Sequence, residues 1–197
     1  MRRIVPSHLV PSLIWFTALA GPGLGARAMA ANIPTDACAS LPGSDAGGSG
    51  QTVVYRNREY GFTFTLPPSW KGFTVLACQW DGQKGEHREE EKGPLLVIRH
   101  PLYTEQNPRE DIPIMVFTQA QWRAVNDSDL NSALVVSAAP VPPSELGRNR
   151  TYVFALPPRF SFDEQEGVEE VLKIVKDKPL RPARIVAHPH APMKPTK

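Results

Sequence analysis

The stretch YGFTFTLPPSW, residues 60–70, alternates apolar and polar side chains and then stops on a proline pair and a tryptophan. Tyr60, Phe62, Phe64 and Leu66 share one face at period two, with Thr63 and Thr65 on the other, the pattern of a half-buried strand. Pro67 and Pro68 end it, because proline has no N–H to give to a ladder. Gly61 fits close packing or a bulge. Aromatic residues at this spacing favour a core over a ligand platform. The stretch therefore reads as a device that builds the fold, with Trp70 closing over the hydrophobic face.

Outward from it, similar runs recur. TVVYRN (52–57), GFTVLACQW (72–80), LLVIRH (95–100), IPIMVFT (112–118), ALVVSAAP (133–140) and TYVFALP (151–157) read as strands. Thr118 is a candidate N-cap for a short helix, QAQWRAVN. DEQEGVEEVLKIVKD (163–177) reads as a second helix, with acids in its first turns and lysines near its end, as the helix dipole favours. Val168, Val171, Leu172 and Val175 give it one apolar stripe. Strands joined by short turns with helices laid against them predict an α+β domain, a central antiparallel sheet with flanking helices.

The chain has 197 residues, 41% hydrophobic and 21% charged, enough for one domain plus tails. Its 21 prolines favour many short elements. Residues 1–30 read as a signal peptide: Arg2 and Arg3, an apolar run from Leu9 to Ala20, and small residues at Ala28 and Ala30 before the cleavage point. An uncleaved anchor is the alternative, although the run is short for a bilayer. Residues 31–50 have linker composition, 51–178 carry the domain, and the proline-rich basic segment 179–197 is expected to be disordered. The expected location is therefore exported, periplasmic or extracellular, with no stable membrane insertion after cleavage. Removal of Arg2, Arg3 and Arg27 leaves 19 basic against 20 acidic residues, which argues against a nucleic-acid partner.

Cys38 and Cys78 are an even pair in an exported chain, so a disulfide is expected, with two independent thiols as the alternative. Polar side chains concentrate in the segments 81–93 and 101–112. They make Asp81, Glu86, Arg88, Glu89, Glu105, Arg109 and Asp111 the candidate recognition residues. The charged, glycine-bounded run 81–94 reads as a solvated loop. His188 and His190 are two ligands short of a zinc site. His100 has Glu110 and Asp111 nearby in sequence but no nucleophile elbow. No P-loop or dinucleotide fingerprint occurs, and no metal or cofactor is expected.

Tyr55, Asn57, Tyr60, Gly61, Phe62, Phe64, Leu66, Pro67 and Trp70 form the pattern Y-x-N-x-x-Y-G-F-x-F-x-L-P-x-x-W, which resembles the start of the PsbP-like fold family. That family includes an accessory subunit of the oxygen-evolving photosystem and a protein that binds a nuclear-transport GTPase. The same segment, with RHPLYTEQNPREDIPIMVFTQAQW and SAAPVPPSELGRNRTYVFALPPRF, is similar to a set of secreted bacterial proteins without an assigned function. The resemblance implies a central antiparallel sheet covered by helices, acting in recognition and assembly, and it carries over no catalytic residue. The expected function is a secreted or periplasmic non-enzymatic accessory or binding module with a protein partner in the cell envelope. A hydrolase with an unrecognised active site and a small-ligand carrier are the alternatives. A concave site where His100 or His87 meets a carboxylate and a nucleophile would mark the hydrolase.

Overall fold

The computed structural model describes residues 38–42, 52–136, 141–158, 160 and 165–184. The leader, most of the linker segment, and His188 and His190 lie outside the described residues. Among the described residues the chain forms ten strands and two short helices. The strands make two antiparallel sheets, so the expected α+β architecture is corrected to a β-rich one. The physical reason lies in what covers the central sheet. Its principal cover is a second sheet, and the helices, of seven and nine residues, are too short to form a layer of their own.

The larger sheet runs β1 (Ala39–Pro42), β4 (Thr74–Lys84), β5 (Glu89–Arg99), β6 (Ile112–Thr118), β9 (Tyr152–Leu156) and β8 (Ser144–Arg148). A two-residue strand, β7 (Leu134–Val135), pairs with the far end of β4 at Gln83 and Lys84. The smaller sheet runs β10 (Leu180–Pro182), β3 (Phe62–Leu66), β2 (Val53–Asn57). The sheets share a core that contains Phe62, Phe64, Trp70, Val75, Ile98, Ile114 and Phe154. Phe62 of β3 meets Phe154 of β9 with ring centroids 4.7 Å apart, which ties one sheet to the other.

The opening stretch belongs to this core. Phe62, Phe64, Leu66 and Trp70 are all buried, and Thr65 faces solvent. The turn before β3 explains the rest of the motif. The Tyr60 N–H donates to Asn57 Oδ1, and Asn57 Nδ2 donates to the buried Tyr55 hydroxyl. Gly61 takes φ +71°, a left-handed turn conformation that a side chain would strain. Asn149, in the β8–β9 turn, donates to the carbonyls of Tyr60 and Gly61 and so latches the two hairpins together. Pro68–Trp70 form one 3-10 turn, with Trp70 buried in the core.

Several boundaries move. The run 81–94 is no loop: β4 and β5 pair in register from Thr74↔Arg99 to Lys84↔Glu89, and only Gly85–Arg88 turn. Within the linker segment, Ala39–Pro42 pair with Thr74–Ala77 as β1. Leu180, placed in the tail by composition, is buried in the core, and β10 completes the smaller sheet. The helix α1 (Gln119–Val125) has the expected cap, with Thr118 and Gln121 forming a reciprocal capping box. The helix α2 (Val168–Lys176) buries Val171 and Ile174, whereas Leu172 is 46% exposed. Its apolar stripe is therefore rotated by part of a turn from the expected one.

Candidate functional site

Three regions could carry recognition or chemistry, and the candidate residues divide among them. The first is the β4–β5 hairpin end. Asp81 and Glu89 lie on the paired strands, Glu86 and Arg88 in the turn, and all four side chains are exposed. Arg88 adopts φ +52°, and its N–H closes the turn onto the Gly85 carbonyl at 3.2 Å. The ladder beneath makes this a rigid arm. Lys92 pairs with Glu90 at 3.2 Å in full solvent, a contact of little energetic weight.

The second region is the segment 100–112 with the start of α2. The backbone of Glu110 donates to the Glu166 carbonyl at 2.9 Å, and Arg109 bridges the same residue. The Arg109 guanidinium is ion-paired with Glu166 and lies 3.9 Å from Glu170. Asn107 Nδ2 also donates to Glu166, so the segment is strapped to α2. Glu105 remains exposed. Asp111 is a structural residue: Arg99 donates to it through Nε and Nη2 at 3.0 and 2.8 Å, both side chains being 18% exposed. Burial pushes the Asp111 carboxyl up, and Arg99 opposes that shift. The Arg99 guanidinium also stacks 3.8 Å over the Tyr103 ring.

His100 sits at the base of this segment, 4% exposed, its ring edge-on to Trp70 at 4.9 Å. The Leu102 N–H donates to His100 Nδ1 at 3.1 Å, which puts the proton of the neutral ring on Nε2. Burial holds its pKa down, the Arg109 cation adds to that, and Glu170 and Glu166 oppose it. Its Nε2 has no hydrogen-bond partner among the described residues, and neither do Trp70 Nε1 and Arg109 Nε. The nearby Ser69 hydroxyl donates to Glu170 at 2.6 Å. Among the described residues, therefore, no hydrogen bond joins His100 to a hydroxyl or carboxylate.

The third region did not emerge from the sequence. A groove of about 540 Å³ opens between α2 and the smaller sheet. Leu66, Pro67, Pro68 and Ile174 are among its apolar lining residues, and Lys173, Lys178 and Arg181 are its cations. Thr52 and Thr65 add hydroxyls, and Glu170 and Asp177 add carboxylates. The proline pair that stops β3 thus also paves this groove. Helical spacing puts Glu170, Lys173, Ile174 and Asp177 on one side of α2, a signal present in the sequence. Arg181 carries no such signal, because its three-residue strand LRP is proline-bearing and too short to show a period.

Cys38 and Cys78 are joined in a disulfide with Cα atoms 4.5 Å apart, which ties β1 to β4 and fits an exported protein. No helix among the described residues is long and apolar enough to cross a membrane. Among the described residues no cluster of three or more His, Cys, Asp or Glu side chains is placed to hold a metal ion. Comparison of the chain with family models, with curated proteins and with solved structures finds no match.

Proposed function

We propose that the protein is an exported, non-enzymatic binding module that engages a protein partner in the cell envelope. The observation that carries this reading is the setting of His100. A general base needs one ring nitrogen on the nucleophile and usually an orienting group on the other. Here the Leu102 N–H occupies Nδ1, and Nε2 is buried with no partner among the described residues, while the ring packs on Trp70. His87 is exposed in the hairpin turn, and both cysteines are consumed by the disulfide. Export rests on the N-terminal sequence pattern together with that disulfide, and a role in recognition and assembly is what the PsbP-like resemblance implies.

The surface best suited to a partner is the β4–β5 hairpin end, where Glu86, Arg88 and Glu89 are exposed on a braced ladder. A rigid arm gives up little conformational entropy on binding. Affinity capture from the exported fraction, with the parent protein and with Glu86→Lys/Glu89→Lys, tests the reading. A protein retained by the parent and lost by the variant is expected. Identical captures, or hydrolytic activity on ester or peptide substrates that disappears in His100→Gln, would overturn it.

A further inference from the structure

We infer that the groove between α2 and the smaller sheet is a binding site for a small amphipathic carboxylate, an organic anion with a short apolar body. This goes beyond the proposed function, since a module with a protein partner needs no small ligand. The volume of about 540 Å³ lies inside the range of about 300–1,000 Å³ typical of small-molecule sites. The lining combines apolar side chains, which suit a hydrocarbon body, with three cations, which suit its head.

The charges around the groove are unequal in availability. Of its two carboxylates, Glu170 is engaged by the Ser69 hydroxyl at 2.6 Å and by Arg109 at 3.9 Å. Asp177 is the remaining acid. Against it stand Lys173, Lys178 and Arg181, all exposed, and among the described residues none of the three makes an ion pair. Arg181 donates only a long 3.5 Å bond to the Leu180 carbonyl. The groove lining therefore holds three uncommitted cations and one uncommitted acid, and an incoming carboxylate would correct that excess.

Lys178 adds a feature that folding alone does not call for. It takes φ +51° directly after the helix cap, with its N–H on the Val175 carbonyl at 3.1 Å. This is the position where helices most often place glycine, since a side chain disfavours a left-handed backbone. Lysine at this point sets a cation in the groove lining against the local backbone preference. The two effects can be separated experimentally, because Lys178→Gly removes the charge while relaxing the backbone.

The test is a titration of the purified protein with sodium octanoate, followed by amide chemical shifts in NMR. Saturable shifts at Thr65, Lys173, Ile174 and Arg181 are expected, weakening as salt is raised. Octan-1-ol, which lacks the charge, and acetate, which lacks the body, should bind more weakly. Lys178→Gly should bind octanoate roughly three- to fivefold more weakly, as the loss of one exposed ion contact implies, with an unchanged or higher Tm. Lys173→Glu/Arg181→Glu should weaken it by on the order of tenfold or more. Octan-1-ol binding as tightly as octanoate, shifts confined to another surface, the absence of saturable shifts at millimolar octanoate, or full affinity in both variants would each overturn the inference. None of these results bears on capture of a protein partner, so the two readings fail separately.

Discussion

The two faces of the larger sheet are both buried, but by different means. One face presents Val75, Leu96, Ile98, Ile112, Ile114, Val116 and Phe154 to the smaller sheet and α2. There sheet lies on sheet, and Tyr55, Phe62, Phe73 and Phe154 interlock through edge and tilted ring contacts. The other face presents Leu76, Trp80, Leu95, Val97, Met115, Phe117, Val153 and Ala155. Its cover is thin: α1, whose residues are all at least partly exposed, the segment at Leu134–Val136, and the disulfide. The first face is held by packing of many interchangeable apolar contacts. The second relies on a few specific devices, namely a disulfide, a capping box, and the Trp80 indole N–H bonded to the Val116 carbonyl at 3.0 Å. A sheet covered on both faces has central strands that are apolar throughout, and β6 is buried at every residue from Ile112 to Phe117.

The largest expected effect comes from the packed face. Trp70→Ala should destabilise the domain by about 3–5 kcal/mol, the usual cost of emptying a large aromatic's place in a core. Chemical denaturation of parent and variant measures it. An unchanged midpoint would move Trp70 out of the core and weaken the contrast between the faces.

The next largest should come from the thin face. The disulfide spans 40 residues, so its removal in Cys38→Ser/Cys78→Ser costs up to about 4 kcal/mol in the chain-entropy model. Melting with and without reductant checks it. If reduction leaves the melt unchanged, β1 and its bridge do not secure that face.

A smaller loss is expected for Gly93→Ala. A Cβ there would come within 2.3 Å of the Trp80 ring, which lies across Gly93 on the paired strand. Over-packing of this kind costs about 1–3 kcal/mol. Near-UV circular dichroism should report a displaced Trp80 alongside the lower midpoint.

The smallest effect is a pH dependence at the edge of the packed face. The folded state depresses the His100 pKa, so it favours the neutral ring. For a base shifted in this direction, the stabilisation is complete above the ordinary histidine value near 6.5, and it is lost as pH falls below that value toward the lowered one. The Arg109 cation favours this loss, and Glu166 and Glu170 moderate it. Melts at pH 7.5 and 5.5 should show the parent losing more stability than His100→Gln. Equal losses would remove His100 from the account.

Much of the framework was legible without coordinates. The alternation in residues 60–66, the apolar runs of β5, β6 and β9, and the Thr118 cap are local signals, because side-chain periodicity and capping depend only on near neighbours. The Cys38–Cys78 pairing was expected from the cysteine count and is present. The recognition segments were less legible. Polarity brought 81–93 and 101–112 forward together. The structure separates an exposed hairpin end from a segment pinned by Arg109–Glu166 and Arg99–Asp111. Exposure depends on which partner a charged residue finds, and the Glu166 partner of Arg109 lies 57 residues away.

The sequence by itself determined the strands at Val53–Asn57, Phe62–Leu66, Ile112–Thr118 and Tyr152–Leu156, where α1 begins, that Trp70 is a core residue, and that two cysteines were available to bridge. Only the tertiary structure decided that a second sheet, more than the two short helices, covers the first. That sheet needs β10, and β8 and β1 complete the larger one. ASLP, SELGR and LRP are polar or proline-bearing segments that pair through backbone hydrogen bonds and so leave little hydrophobic period to read. The groove, too, belongs to the tertiary structure alone: Pro67 and Pro68 meet Lys173, Lys178 and Arg181 only because α2 and β10 return to the end of β3, where Thr65 donates to the Pro179 carbonyl at 3.1 Å.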